Sequence, residues 1–152
     1  MQNYTKNEEI MTLLLPCQTR HYILPTVLVA EIIYIDTLMV TRNMPRWIIG
    51  KTRWRQIDVW VISLDLTPLD GAQPEFDNSR IVICHALNPE NKEQYFGVCI
   101  SKLPKLLRIQ RTDIQWQEGK PASDFGRAVS VAGIPAILPN IAEISKKLLS
   151  PF

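Results

Sequence analysis

Residues able to carry chemistry are few in this chain and widely spaced. The histidines are His21 and His85, and the cysteines are Cys17, Cys84 and Cys99. Cys17 stands four residues before His21 and Cys84 adjoins His85, which together with Cys99 makes a conceivable zinc set. The set lacks the Cys-x-x-Cys pairing of zinc sites, and neighbouring strand residues such as Cys84 and His85 point to opposite faces. No local signature marks a Cys–His nucleophile pair. Gly50, Gly71, Gly97, Gly119, Gly126 and Gly133 are too scattered to build a phosphate-cradling loop. Asp65, Asp70, Glu75 and Asp77 share one mid-chain loop but lack the spacing of a Ca²⁺ loop. The sequence therefore predicts no catalytic site, no metal and no cofactor.

Cationic residues are better organised. Lys51, Arg53 and Arg55 alternate on one strand face with Trp54 on the other, and Lys102, Lys105, Arg108 and Arg111 form a second basic stretch. Cations interleaved with an aromatic are what single-stranded nucleic acid requires. A small basic-faced β-barrel that binds nucleic acid is accordingly the alternative function. The overall charge opposes it, since 17 Lys and Arg against 15 Asp and Glu leave +2. Such a balance supplies no strong field for a polyanion. No nucleic acid partner is expected.

A chain of 152 residues with 46% hydrophobic content suits one domain, or two small lobes around a shared core. Eleven prolines against six glycines disfavour long helices, because an interior proline removes an N–H and clashes with the preceding turn. Short strands joined by proline-bearing loops fit better. The most apolar window, Ile23 to Ile35, is cut by Pro25, Thr26 and Glu31. It falls short of the roughly 20 apolar residues of a spanning helix. Neither a secretory signal nor direct membrane insertion is expected, and an odd number of cysteines suits a reducing compartment. The expected location is cytoplasmic.

The elements follow from punctuation and periodicity. Met11 to Leu15 and His21 to Leu24 read as strands ended by Pro16 and Pro25. Thr26 can cap a short helix from Val27 to Glu31, before a strand from Ile32 to Ile35. Met44 to Gly50 reads as a Pro45-initiated helical turn closed by glycine. Lys51 to Gln56 and Ile57 to Leu64 form two strands around a tight turn at Arg55-Gln56. The second is apolar on both faces, as in a strand buried on both sides. The loop 67–79, rich in Pro, Gly, Asp and Asn, is the expected boundary between lobes. Strands follow at Arg80 to Leu87, Gln94 to Ser101 and Lys105 to Gln110. Then come a loop from Gln117 to Ala128 and a last strand from Val129 to Leu138. A C-terminal helix starts at Asn140, with Glu143 at capping-box spacing and Ile141, Ile144, Leu148 and Leu149 on one face. A faint duplication relates 21–35 to 94–109, each a strand, a proline-bearing connection and another apolar strand.

Glu31 and Arg55 are the charges most embedded in apolar sequence, and a buried charge must be paired. The two are expected to meet as a buried ion pair.

The residues around them resemble a known family. Tyr22-Ile23-Leu24 leading into Val27-Leu28-Val29-Ala30-Glu31-Ile32, followed by the run from Pro45 to Gln56, is similar to the CheW-like domain of bacterial chemotaxis adaptors. Glu31, Gly50 and Arg55 match the family's glutamate, glycine and arginine, and Gly97-Val98-Cys99-Ile100 resembles its later glycine-plus-apolar strand. The resemblance spans about residues 10–150 and is most specific at 22–64. Gln56 replaces the family's hairpin glycine, Trp60 a proline, and Ser63 and Ser101 aspartates. In this the chain most resembles accessory CheW-like proteins of type IV pilus chemosensory systems. The resemblance implies a mainly β fold of two packed five-stranded SH3-like barrels with short helices and a C-terminal helix. It implies a non-catalytic, cofactor-free adaptor. The partners implied are a chemoreceptor signalling tip and the regulatory domain of a CheA-type histidine kinase. Val29 and Val98 then become candidates to line a receptor groove beside the Glu31–Arg55 pair.

Overall fold

The computed structural model describes residues 9–17, 20–34, 38–40, 43–45, 47–64, 80–87, 94–117 and 126–149. It is mainly β, with twelve strands among these residues: β1 (Glu9–Pro16), β2 (His21–Pro25), β3 (Val29–Tyr34), β4 (Met39–Val40), β5 (Ile48–Trp54), β6 (Ile57–Ile62), β7 (Arg80–His85), β8 (Tyr95–Ile100), β9 (Lys105–Gln110), β10 (Ile114–Trp116), β11 (Gly126–Val131) and β12 (Ile134–Pro139). Helix α1 (Ile141–Leu149) closes the described chain, and single 3-10 turns precede β3 and β10.

The strands form two six-stranded sheets. One runs β10-β11-β12-β2-β1-β9 and the other β3-β7-β8-β6-β5-β4. Each sheet has one parallel pairing at its centre, β12 with β2 and β6 with β8, and antiparallel pairings elsewhere. In each sheet the two outermost strands are consecutive in the chain. The two sheets are SH3-like barrels, each widened beyond five strands by a short edge strand, β4 or β10.

Chain order does not divide at loop 67–79. That loop lies outside the described residues, but β6 before it and β7 after it belong to the same sheet. The chain instead changes sheet between β2 and β3 and again between β8 and β9. These two crossings are the segments that the faint duplication relates, so the shared pattern marks exchanges between barrels, not two copies of one barrel. Ser101 fastens the second crossing: its N–H and its hydroxyl both donate to the Pro16 carbonyl, at 3.0 and 3.1 Å.

Three apolar clusters hold the described residues together. Leu14, Ile23, Ile109, Val129, Val131 and Ala136 fill the first barrel. Ile49, Trp54, Val59, Val61, Ile81 and Ile83 fill the second. The largest lies between the barrels and takes Leu15, Tyr22 and Leu24 from one sheet and Ile62, Val82, Phe96 and Val98 from the other, with Ile141 and Ile144 of α1. Val59, Val61 and Ile62 are all buried because β6 faces its own barrel on one side and the shared core on the other. Burying an aliphatic side chain of this size contributes about 1.5–3 kcal/mol.

Local signals were overridden in three places. Val27 to Glu31 is not a helix: only Thr26–Leu28 makes a 3-10 turn, and β-branched Val29 already begins β3. Pro45 does start a turn, closed by Ile48 N–H donating to its carbonyl at 2.9 Å, but Ile48, Ile49 and Gly50 are strand residues. Gly50 is required by close packing, since a Cβ there would stand 2.1 Å from the Met39 carbonyl oxygen on β4. The apolar run after Val129 is two strands, a hairpin whose turn is Ala132-Gly133, both at positive φ. Helix α1 begins as its cap predicts, with Glu143 N–H donating to Asn140 Oδ1 at 3.1 Å.

Candidate functional site

The site is built on the mouth of the second barrel. β3 pairs with β7, and its register shifts between Val29 and Glu31, so Ala30 and Glu31 together face Ile83. Such a bulge re-aims a side chain. Val29 stays packed against the core between the barrels, while Glu31 turns to the mouth of the barrel that Trp54 helps to fill. A regular strand would have put Val29 and Glu31 on one face.

The β5–β6 hairpin brings the other half. Its two turn residues, Arg55 and Gln56, have φ of 48° and 68°, between the paired residues Trp54 and Ile57. Positive φ at both central positions is the two-residue turn whose twist suits a hairpin. The Gln56 position is thus one where glycine would be unstrained and glutamine is not. The turn carries Arg55 over the Trp54 ring, 4.6 Å from its centroid.

Glu31 Oε1 accepts from two donors, Trp54 Nε1 and Arg55 Nη2, each at 3.1 Å. The structure therefore brings Glu31 and Arg55 together, but not as a buried pair. Their side chains are 43% and 68% exposed. Of their apolar neighbours in sequence, Ala30, Ile33 and Ile49 pack with the barrel interior, Ile32 and Ile57 are themselves exposed, and the two charges stand at the rim. Trp54 itself is buried and meets Tyr95 of β8 edge-on, with centroids 4.8 Å apart. Tyr95 in turn lies beside His85 at 5.1 Å.

Val98 is not a groove wall. It is 1% exposed, on the central strand β8, opposite Val82 on one side and Ile62 on the other. Val29 is half-buried at the margin of the same core. Of the four residues singled out from sequence, Glu31 and Arg55 touch, Val29 lies beside them on β3, and Val98 belongs to the core. Trp54 and Tyr95 were missed. The signal for Trp54 was present: Thr52 and Trp54 are buried and Arg53 between them is exposed, a period of two that turns Trp54 inward.

The basic strand face does not present free cations to a polyanion. Lys51 Nζ lies 4.4 Å over the Trp60 ring, Arg53 pairs with Asp58 at 3.3 Å, and Arg55 pairs with Glu31. Trp54, the candidate stacking platform, faces the barrel interior. In the second stretch Arg108 lies 3.5 Å from Glu9. On the basic strand face, then, the aromatic is turned inward and each of the three cations has a partner within the chain.

Among the described residues no group of three His, Cys, Asp or Glu side chains could hold a metal ion. Cys84 is buried, and loss of hydration pushes its thiol pKa up to about 12, so it is no nucleophile near neutral pH. No described helix is long and apolar enough to cross a membrane.

The comparisons with known proteins bear on this geometry directly. The model of the CheW-like domain matches residues 11–148. The chain belongs to the CheW-like domain family. Among solved structures it is similar to the scaffolding protein TtCheW from Thermoanaerobacter tengcongensis, with 17% identity, a TM-score of 0.69, and coverage of 87% of this chain and 89% of that one. At that identity the likeness is one of fold, two SH3-like barrels with a C-terminal helix. No curated protein matches in sequence.

Proposed function

We propose that this CheW-like chain is a non-catalytic adaptor that couples a chemoreceptor signalling tip to the regulatory domain of a CheA-type histidine kinase. The proposed setting is a type IV pilus chemosensory system controlling twitching motility, where the chain acts in the cytoplasm beside a main adaptor and without inserting into the membrane. The observation that carries the reading is the family match along almost the whole chain, 11–148. The likeness to a protein described as a scaffold supports it. So does the exposed Glu31–Arg55 pair, held by Trp54 on the rim of a rigid barrel. A pre-positioned charged pair contributes orientation and partner choice more than affinity. The test is affinity capture of the tagged chain from its own cells. A chemoreceptor together with a histidine kinase is expected, and a pilus-linked pair supports the finer assignment. Recovery of nucleic acid at moderate salt, with neither protein, overturns the reading.

A further inference from the structure

Cys17 and Cys99 meet where the two barrels join. Cys17 stands just past the end of β1 and Cys99 lies in β8, 82 positions later, yet Cys17 Sγ is 3.9 Å from the Cys99 carbonyl oxygen. The two segments are held together beside this contact. Ser101 donates its N–H and its hydroxyl to the Pro16 carbonyl, and Cys17 N–H donates to the Arg20 carbonyl at 3.0 Å, at the end of the β1–β2 hairpin. Both cysteines are half-buried, whereas Cys84 is fully buried, with its thiol donating along its own strand to the Val82 carbonyl at 3.6 Å.

A disulfide requires two cysteines that are neighbours in space, with Cβ atoms about 3.5–4.5 Å apart, and a sulfur that an oxidant can reach. The contact between Cys17 and the Cys99 backbone makes them neighbours. Cys17 packs at the margin of the core between the barrels and Cys99 at the margin of the second barrel's interior. Closing the bond therefore takes a turn about the Cys99 Cα–Cβ bond, toward the sulfur already at its carbonyl. Half-burial leaves both sulfurs within reach of a small oxidant. Burial denies this to Cys84 and also keeps its thiol protonated, with a pKa of about 12.

We infer that Cys17 and Cys99 are a redox modification site, closing an intramolecular disulfide between the first barrel and the second when a hydroperoxide reaches them. With hydrogen peroxide, one sulfur takes an oxygen atom to become a sulfenic acid, and the rest of the peroxide leaves as water. The other sulfur then displaces the sulfenic hydroxyl, which leaves as a second water. Two thiols lose two protons and two electrons, and one peroxide becomes two waters. In a reducing compartment the pair rests as thiols, so the bond is a response to oxidant and not a part of the fold. The bond is independent of the adaptor reading, since no receptor or kinase takes part in it.

The test treats the folded full chain with hydrogen peroxide, blocks the remaining thiols and maps tryptic peptides by mass without reduction. Cleavage at lysine and arginine puts each cysteine in its own peptide, 7–20, 81–92 and 93–102. In the monomer, peptides 7–20 and 93–102 should appear joined, two hydrogens lighter than their sum, as the main disulfide. The joined species should be lost in Cys17→Ser and kept in Cys84→Ser. In urea the main pairing should shift to Cys84–Cys99, the shortest loop, because closure of an unfolded chain favours it. Oxidation of Cys17 and Cys99 to sulfinic or sulfonic acid with no joined peptide overturns the inference. So does a bond through Cys84 in the folded chain, a Cys17–Cys99 bond found only between two molecules, or the same pairing in urea as in the folded protein.

Discussion

Arg55 Nη2 meets Glu31 Oε1 at 3.1 Å at the rim of the second barrel, with both side chains substantially open to solvent. That geometry sets the energetic scale. A buried pair would cost about 3–5 kcal/mol to break, whereas an exposed pair is worth about 0.2–1 kcal/mol. Arg55→Ala should therefore leave the fold intact and lower stability by no more than about 1 kcal/mol. Trp54→Ala, which empties the barrel interior, should cost about 3–5 kcal/mol. Urea unfolding of the two variants checks the contrast. A large loss from Arg55→Ala would mean that the pair carries the fold.

Val98 supplies a second contrast. It lies at the centre of the sheet and faces the core between the barrels, so Val98→Gln buries an amide with nowhere to bond. A loss of about 2–5 kcal/mol is expected. Val29→Gln, at the half-exposed margin of the same core, should cost markedly less, because its amide can reach water. Thermal melting of both variants decides. Equal losses would place Val29 in the core as firmly as Val98.

How much was legible follows from where each signal was local. The β5–β6 hairpin and its turn at Arg55-Gln56 could be read because alternation, the turn and the doubly apolar strand are adjacent in sequence. The Asn140 cap could be read for the same reason. The meeting of Glu31 with Arg55 was legible as a pairing of two charges in apolar surroundings. Their exposure was not, because the bulge at Ala30 that re-aims Glu31 leaves no mark in the residue types. The partition into barrels was also hidden, since β1 joins β9 and β2 joins β12, strands roughly 90 to 115 residues later. Val98 looked like a groove residue because an apolar strand residue reads the same whether its face meets solvent or a second sheet. Ile48 and Ile49, bracketed by Pro45 and Gly50, gave a helical turn's punctuation to what is a strand start.

The hairpin turn makes its own prediction. Gln56 sits at φ 68°, a region costing a non-glycine residue about 1–2 kcal/mol. Glycine relieves that strain but loses more freedom on folding, by about 0.5–1 kcal/mol. Gln56→Gly should be stabilising by about 0–1.5 kcal/mol, without loss of the Arg55 contact. Chemical denaturation measures it, and a destabilised Gln56→Gly would show that the glutamine side chain holds the turn.

Cys84 predicts a pH dependence. Its pKa is about 12 in the folded protein against an ordinary 9.0, through burial. Above pH 9 the unfolded chain releases this proton and the folded chain keeps it, so the unfolded state binds fewer protons and stability falls as pH rises. Below pH 9 the group has no such effect. Stability measured from pH 7 to 11 should therefore decline more steeply above pH 9 in the unaltered protein than in Cys84→Ala. Parallel curves would contradict the burial of this thiol.

In the proposed adaptor role, the rim carrying Glu31 and Arg55 binds a partner. The most direct measurement is the Kd of a chemoreceptor signalling-tip fragment, taken from the same cells, for the unaltered protein and for Arg55→Ala under identical salt. Saturable binding to the unaltered chain is expected, with at least a tenfold weaker Kd for Arg55→Ala and its melting temperature nearly unchanged. Equal affinity for the two folded proteins, or no binding to either, would contradict that role.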